Sequence, residues 1–412
     1  MANAFATYGA NLDRYSDFLK VYYLPEIRVL INKASALLFR MEKDSTSIVG
    51  KNATIALQLG LLPAYSRGEG EEIPAGGTIP KETAEVALRY HYVPIYFSNI
   101  LREASRSNPG AFISVLSAHT RGAVDTLRRN LNMQCALDND GKLTDVAATA
   151  IADGTYTTGS LGTLVVDSTQ HMWPGQVLDV LADGTTTKRS TAGLTVQSVV
   201  NSTTALVTGT IASAAVGDDV YIFGNKSNQM GGLRDVFGQG AGTSYLGVER
   251  DDHAEWKAQY NDVSGAISLN DIQTVLDDAE HKMMGHITVG FCSPGVKRAY
   301  MALLTPDRRY NYPQTLKLDG GFTGVAYTGG TTEIPIIAER DILKNKLYLL
   351  DESTFTMFML KDFDWVPGPD NGVLHPLVIN GYDAVKAMLY GYMNMGCANP
   401  GKNGLLDNLT EA

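Results

Sequence analysis

The most regular stretch of the chain, residues 108–137, reads NPGAFISVLSAHTRGAVDTLRRNLNMQCAL. Asn108 suits the N-cap of a helix, and Pro109 suits its first turn. Apolar side chains then recur at helical spacing along one stripe: Phe112, Leu116, Ala123, Leu127, Leu131 and Cys135. At about 1.5 Å per residue the pattern predicts one helix of roughly 40 Å, with a single face against a core.

The segment before this helix has the two-residue period of β-structure. Residues 54–59 and 86–97 read as strands, and residues 66–77 between them, SRGEGEEIPAGG, are dominated by Gly, Pro and Glu. These features predict a long hairpin with an acidic tip. Because long loops in compact chains are usually functional or disordered, we expect the tip to reach another subunit, although a merely solvated tip is the alternative. The candidate inter-subunit contact residues are Arg67, Glu69, Glu71 and Glu72.

Residues 147–226 shift abruptly in composition to Thr, Ser, Val, Ala and Gly. Short runs with β-character lie within them, at residues 161–166, 176–181, 194–200 and 219–223. We interpret this segment as an inserted all-β domain, either a small barrel or a sandwich.

The chain beyond the insertion alternates helices and strands. Ser268 and Asp271 have the spacing of a capping box at a helix start, and Ser293 with Pro294 opens another helix. Two further helical pieces are predicted within residues 11–44. The predicted strands are residues 286–292, 334–339, 347–351, 354–360, 374–380 and 383–395. Helices packed on a mixed sheet give an α+β fold.

Composition narrows the classes of function. The 412 residues are 44% hydrophobic and 19% charged, which suits a globular chain of two or three domains. The net charge of -10 and the scattered Lys and Arg residues argue against extended binding to a phosphate backbone. We expect no membrane partner, because neither a membrane span nor a signal-peptide core is evident. Cys135, Cys292 and Cys397 form no CxxC pair, so buried free thiols are expected.

Three strings resemble chemical motifs, and each fails on a required feature. Residues 396–403 have the spacing of a phosphate-binding loop, but Asn403 stands where Ser or Thr must hold magnesium, so a turn is favoured. Residues 138–141 lack the acid that a calcium loop needs six residues after its glycine. His281 and His286 miss the spacing of helical zinc ligands. The sequence predicts no catalytic residue, no metal site and no cofactor.

The order of elements and several local phrases resemble the major capsid proteins of tailed bacteriophages with the Hong Kong 97-type fold. Residues 330–337, GTTEIPII, and the strands that follow at 345–351 and 354–360 are similar to the end of that family's axial domain. Residues from 381 onward, GYDA, resemble its returning peripheral strand. The resemblance covers nearly the whole chain except the inserted segment.

The resemblance implies a division of the chain into six parts. They are an N-terminal arm (1–44), an E-loop hairpin (45–97), a peripheral domain with a spine helix (98–146), the inserted β domain (147–226), an axial domain (227–372) and a peripheral return strand with the C-terminus (373–412).

The resemblance also implies a structural role without catalysis. Such a protein self-assembles into pentamers and hexamers of an icosahedral head, encloses double-stranded DNA without sequence-specific binding, and resides in the virion after assembly in the host cytoplasm. A separate scaffolding protein is expected, because no long charged N-terminal extension is present; portal and decoration proteins are further partners. The alternatives are an encapsulin-like cargo compartment, a β-rich binding or adhesion module built on residues 147–226, and an enzyme that uses the phosphate-loop-like string.

Overall fold

The computed structural model describes residues 36–58, 64–70, 72, 76–79, 81–98, 109–147, 151–239, 243–304, 315–317, 323–329, 332–368, 373, 375–376 and 383–412. Within these ranges the α-helices are α1 (Ala36–Arg40), α2 (Pro109–Ala136), α3 (Leu233–Val236), α4 (Leu269–Met283) and α5 (Pro294–Leu303). The helical pieces predicted before residue 36 lie outside the described residues, as does the predicted N-cap Asn108.

The strands of the first half are β1 (Glu42–Asp44), β2 (Ile48–Val49), β3 (Asn52–Gln58), β4 (Lys81–Ala87), β5 (Arg89–Ser98), β6 (Lys142–Asp145), β7 (Gly154–Tyr156), β8 (Gly162–Val165), β9 (Val177–Leu181), β10 (Leu194–Val199), β11 (Thr204–Ile211) and β12 (Asp219–Ile222). Those of the second half are β13 (Ser244–Tyr245), β14 (Val248–Glu249), β15 (Gln259–Gly265), β16 (Val289–Cys292), β17 (Thr315–Lys317), β18 (Thr323–Gly329), β19 (Thr332–Ala338), β20 (Leu347–Leu350), β21 (Phe355–Trp365), β22 (His375–Pro376), β23 (Ala384–Cys397) and β24 (Gly404–Leu409).

Helix α2 is the long helix that the sequence predicts, and it spans 28 residues. Leu127, Leu131 and Cys135 of the predicted stripe are buried in a hydrophobic cluster that we call the main core. It also contains Trp256 and Phe355. Met133, and Leu137 just past the helix end, enter a second core inside the β-barrel described below. Because residues 131–137 are buried on every side of the helix end, the helix joins two cores and does not only cover one.

Strand β23 is the centre of a five-stranded sheet. It pairs antiparallel with β5 along one side, from Ala384↔Ser98 to Met393↔Arg89, and with β21 along the other. β22 pairs with the start of β23, and β1 adds in parallel to β21. The hairpin β3–β4 leaves this sheet, with Ala84 and Val86 buried and the intervening Glu85 exposed. One face of the hairpin therefore packs on its own subunit.

Six of the seven strands between residues 142 and 222 form a closed barrel in the order β6-β12-β9-β10-β11-β8, and β7 pairs with the end of β11. Closure between β8 and β6 comes from the bridge Val146↔Val166 and from the Ala147 amide, which donates to the Val165 carbonyl at 3.0 Å. The interior is filled by aliphatic side chains such as Leu164, Val180 and Val207. Strand β6 belongs to the barrel although it precedes the predicted boundary at residue 147, because a closed sheet needs it as the last partner.

A third sheet, the helix-covered sheet, has the order β15-β24-β20-β16-β19-β18-β17. Helices α4 and α5 pack on one face through side chains such as Ile272 and Val296, and the opposite face contributes Phe291 to the main core. The predicted capping box is confirmed: the Ser268 hydroxyl accepts from the Asp271 amide at 3.2 Å, and the Asp271 carboxylate accepts from the Ser268 amide at 3.1 Å.

The C-terminus differs from the sequence expectation. Strand β24 inserts between β15 and β20 of the helix-covered sheet, so the end of the predicted return segment 373–412 does not follow β23 into the five-stranded sheet. The physical reason is visible in Leu405 and Leu406, which are buried on opposite faces of the sheet, in the main core and in the α4–α5 core. A strand that is apolar on both faces is stable only in the middle of a covered sheet.

Candidate assembly surfaces

The tip of the β3–β4 hairpin carries the contact residues predicted from the sequence. Arg67, Glu69 and Glu72 are exposed, while Glu71 lies outside the described residues. The Arg67 guanidinium lies 5.8 Å from the ring centre of Tyr65, which is itself 57% exposed. Within the part of the chain that the structure describes, no ion pair joins these three side chains to another residue.

An aromatic surface on the five-stranded sheet was not singled out in the sequence. Tyr90, Tyr92 and Tyr96 alternate along β5 and are 49%, 51% and 58% exposed. Tyr390 and Tyr392 of β23 stand opposite Tyr92 and Tyr90. The Tyr90 and Tyr392 rings meet edge to face with centres 5.0 Å apart, and those of Tyr390 and Tyr392 are 5.2 Å apart.

This tyrosine face is internally bonded as well as exposed. A hydrogen bond that the Tyr92 hydroxyl donates to Tyr392, together with desolvation, raises the pKa of Tyr92 to about 12, so this hydroxyl stays neutral at physiological pH. Contiguous exposed aromatic rings are unusual on a monomer and are typical of a protein interface. The signal available in the sequence was the alternation of Tyr at positions 90 and 92 and again at 390 and 392.

A groove runs between β5 and helix α2 on the other side of the same strand. It consists of a cavity of about 550 Å³ beside residues 88–94 and one of about 700 Å³ beside residues 93–96. Both cavities are lined by Val93, Pro94 and Thr126, so they are continuous. We call this feature the β5–α2 groove.

A cluster of polar residues connects the barrel with helix α2 and with the loop after β19. The Asn132 amide on α2 donates to Glu339 at 3.0 Å and to Asp341 at 2.5 Å. The Asp341 carbonyl in turn accepts from the ring of His171 at 2.9 Å. Burial lowers the pKa of His171, which keeps its ring neutral. The Arg129 guanidinium also lies over the Trp173 ring at 4.4 Å.

A neighbouring pocket of about 360 Å³ is lined by this cluster and by further charged residues of α2. Its cations and anions are interleaved: Asp125, Arg128, Arg129, Asn132, Glu339 and Arg340. The Arg340 guanidinium already pairs with Asp341 at 3.2 Å. The balance of charge favours a structural role in holding the barrel in place.

The phosphate-loop-like string is a buried turn. Strand β23 ends at Cys397, a short turn occupies Pro400–Lys402, and a strand, not a helix, follows. The Asn403 side chain is fully buried; its oxygen accepts from the Asp351 amide at 2.8 Å and its nitrogen donates to Thr354 Oγ1 at 3.1 Å. In the phosphate-binding loop that this string resembles, the loop leads into a helix whose N-terminus faces the phosphates. A strand follows here, so the interpretation as a turn is confirmed.

The other sequence motifs also have structural explanations. Residues 138–141 form the turn from α2 into the barrel, where Gly141 has φ +80° and the Asp138 carboxylate accepts from its amide at 3.1 Å. The three cysteines are buried free thiols, and burial raises the pKa of Cys292 and of Cys397 to about 12. Among the described residues, no group of three or more His, Cys, Asp or Glu side chains is placed to hold a metal ion, and no helix is long and apolar enough to cross a bilayer.

Comparison with known proteins gives a match in structure but not in sequence. No family model matches the chain, and no curated protein matches it. A chain of the capsid asymmetric unit of cyanophage A-1(L) superposes with a TM-score of 0.52 at 10% identity, over 90% of each chain. The chain has a phage capsid protein fold. Two further solved structures match over similar shares. They are Gordonia phage Cozz (TM-score 0.44, 10% identity, 90% of this chain and 86% of that one) and the capsid of a native GTA particle (TM-score 0.46, 9% identity, 92% of this chain and 91% of that one).

Proposed function

We propose that this protein is the major capsid protein of a tailed bacteriophage and builds an icosahedral head from pentamers and hexamers around double-stranded DNA. The observation that carries the proposal is the fold shared with a chain of the cyanophage A-1(L) capsid over 90% of both chains. That solved structure is a capsid asymmetric unit. In this proposal the protein acts as a building block of the shell, and its main binding partners are other copies of the same chain.

In this proposal the Hong Kong 97-type parts fall on particular elements. Hairpin β3–β4 is the E-loop, α2 is the spine helix, the five-stranded sheet is the core of the peripheral domain, and the helix-covered sheet is the axial domain. The barrel is an inserted domain, and its polar Thr- and Ser-rich surface favours the outside of the shell. Strand β24 ties the chain end into the axial domain.

Two surfaces suit contacts between copies. The hairpin tip offers Arg67, Glu69, Glu71 and Glu72 for ion pairs at the rim of an interface. The tyrosine face offers Tyr90, Tyr92 and Tyr96 for the buried centre of an interface. Aromatic side chains release water when they are buried there and contribute most of the binding free energy. Obligate interfaces of this kind often bury about 2,000 Å² or more. A separate scaffolding protein, a portal and decoration proteins complete the proposed partners, and the virion is the proposed location.

The test is assembly. We would express the full chain alone and together with a candidate scaffolding protein, sediment the lysate, and image the fast fraction by electron microscopy. Closed shells, tubes or rings of five and six subunits are the expected result. A chain that stays a monomer or dimer under every condition contradicts the proposal, and shells that enclose a protein cargo in place of nucleic acid would favour the encapsulin-like alternative.

A further inference from the structure

One edge of strand β5 lies open beside a cavity. Among the described strands, β5 pairs only with β23, and its other edge lines the β5–α2 groove. Helix α2 forms the opposite wall through Thr126, Leu127 and Asn130. The turn that leaves the barrel contributes Asn225 and Asn228 to the same cavity. The groove is thus built partly by the barrel, beyond the elements of the common capsid fold.

The ladder geometry shows which backbone groups face the groove. Pro94 is paired with Met388 in an uninterrupted antiparallel ladder, and Pro has no N–H to give to β23. Pro94 and Met388 are therefore a non-hydrogen-bonded pair, in which the backbone groups of Pro94 point away from β23. Every second residue of β5 has its backbone groups in the same direction. Tyr90 and Tyr92 consequently direct both N–H and C=O toward the open edge. Pro94 limits further pairing, as prolines on edge strands do.

Two polar groups in the floor of the groove have no partner among the residues that the structure describes. His91 is 7% exposed, and its Nε2 has no hydrogen-bond partner among them. Its ring bonds to the Met393 carbonyl, and burial lowers its pKa to about 4, so Nε2 is a neutral acceptor. The Nε of Arg89 is also buried, and no described residue bonds to it. Leaving a buried polar atom unpaired costs free energy of folding. His91 Nε2 lacks a hydrogen-bond donor, and the Arg89 Nε–H lacks an acceptor.

The chemistry of the lining defines what would fill it. A peptide group supplies both an N–H for His91 and a C=O for Arg89, and side-chain amides such as Asn130 and Asn225 also complement peptide groups. Among the described residues that line these two cavities, Arg89 is the one that carries a charge. A carboxylate on the occupant would neutralise it.

We propose that the β5–α2 groove binds an extended, carboxylate-bearing segment of a different polypeptide, which adds a short strand to the edge of β5 at Tyr90 and Tyr92. The mode is strand addition, in which main-chain hydrogen bonds supply affinity and side chains supply selectivity. The hairpin tip of a second copy fits poorly, because its acid Glu69 lies in a turn with Gly70, which has φ +83°, and not in an extended segment. This inference stands independently of shell formation.

The experiment uses the full chain and a displayed library of random ten-residue peptides, followed by fluorescence anisotropy with the selected peptides. Tyr92→Pro removes an edge N–H without touching the β23 ladder, and Tyr92→Ala is the matched control that keeps the N–H. We expect Tyr92→Pro to bind at least about fivefold more weakly than Tyr92→Ala, the loss of one good hydrogen bond. Tyr90→Pro with Tyr90→Ala gives the same comparison should Tyr92→Pro fail to fold.

The role of charge is tested on the same peptides. Arg89→Gln should weaken binding about tenfold, and amidation of the peptide carboxylate should produce the same loss with no further effect of Arg89→Gln. Separate amidation of side-chain and terminal carboxylates distinguishes the two sources. Equal affinity for the Tyr92→Pro and Tyr92→Ala proteins overturns the proposal, as does a library that yields no acidic binders. Self-association lost only in Tyr92→Pro, without peptide binding, would assign the groove to a second copy.

Discussion

At the scale of single residues, His91 is the titratable group whose burial has the clearest thermodynamic consequence. It lies on the face of β5 toward α2, it is 7% exposed, and burial lowers its pKa from 6.5 to about 4. The unfolded chain therefore binds a proton at this position between about pH 6.5 and pH 4 that the folded chain does not. The stabilising contribution is complete above pH 6.5 and is lost as the pH falls toward 4.

The lowered pKa of His91 predicts that the folded chain loses stability as the pH falls. Relative to His91→Gln, the free energy of unfolding of the wild-type chain should fall by about 2 kcal/mol between pH 7 and pH 4.5, because one pKa unit corresponds to about 1.4 kcal/mol. Urea unfolding of both proteins at each pH gives the numbers. Parallel pH dependence in the two proteins would show that His91 titrates normally and that the cavity floor is open to water.

At the scale of elements, local signals in the sequence predicted helices better than strands. Helix α2 and the capping box of α4 follow from residues close in sequence, such as Ser268 and Asp271. Strands β6, β11 and β24 were missed or misplaced because their partners are distant: β24 reaches β15 and β20 across the chain. The tyrosine face and the β5–α2 groove could not be predicted, since each is created by pairing β5 with β23 or packing it against α2.

The barrel boundary gives a second prediction. Closure requires β6, so a fragment of residues 133–228, which keeps Met133 and Leu137 of the barrel core, should fold cooperatively alone. Residues 147–226 should not, because they lack β6 and leave β12 with an open edge. Circular dichroism and amide hydrogen exchange of the two fragments provide the measurement. The longer fragment also retains Asp140, whose carboxylate accepts from the Tyr221 hydroxyl at 2.7 Å. Equal folding of both fragments would mean that the β6 edge contributes little.

At the scale of the whole molecule, the net charge of -10 makes association between copies sensitive to where the acids lie. A chain with this excess repels its copies in general, so contacts between them need local complementarity. The acids of the hairpin tip are concentrated at the end of an arm, where a neighbour's cations can reach them. Each exposed ion pair is worth about 0.2–1 kcal/mol, but a closed shell repeats it at every subunit.

The tip can be tested without disturbing the fold. Replacing Glu69, Glu71 and Glu72 together by Gln should leave the free energy of unfolding unchanged, since Glu69 and Glu72 are exposed. The concentration at which shells form should rise about fivefold, the effect of roughly 1 kcal/mol per subunit contact. The matched control replaces Glu249, Glu280 and Glu333, which are exposed outside the hairpin, by Gln with the same change in net charge. Light scattering across a salt series separates the two explanations: screening should reduce the difference between the tip variant and the wild type if the tip forms ion pairs. Identical shifts in both triple variants would instead attribute the effect to net charge, and the tip would then be a solvated loop with no role in contact.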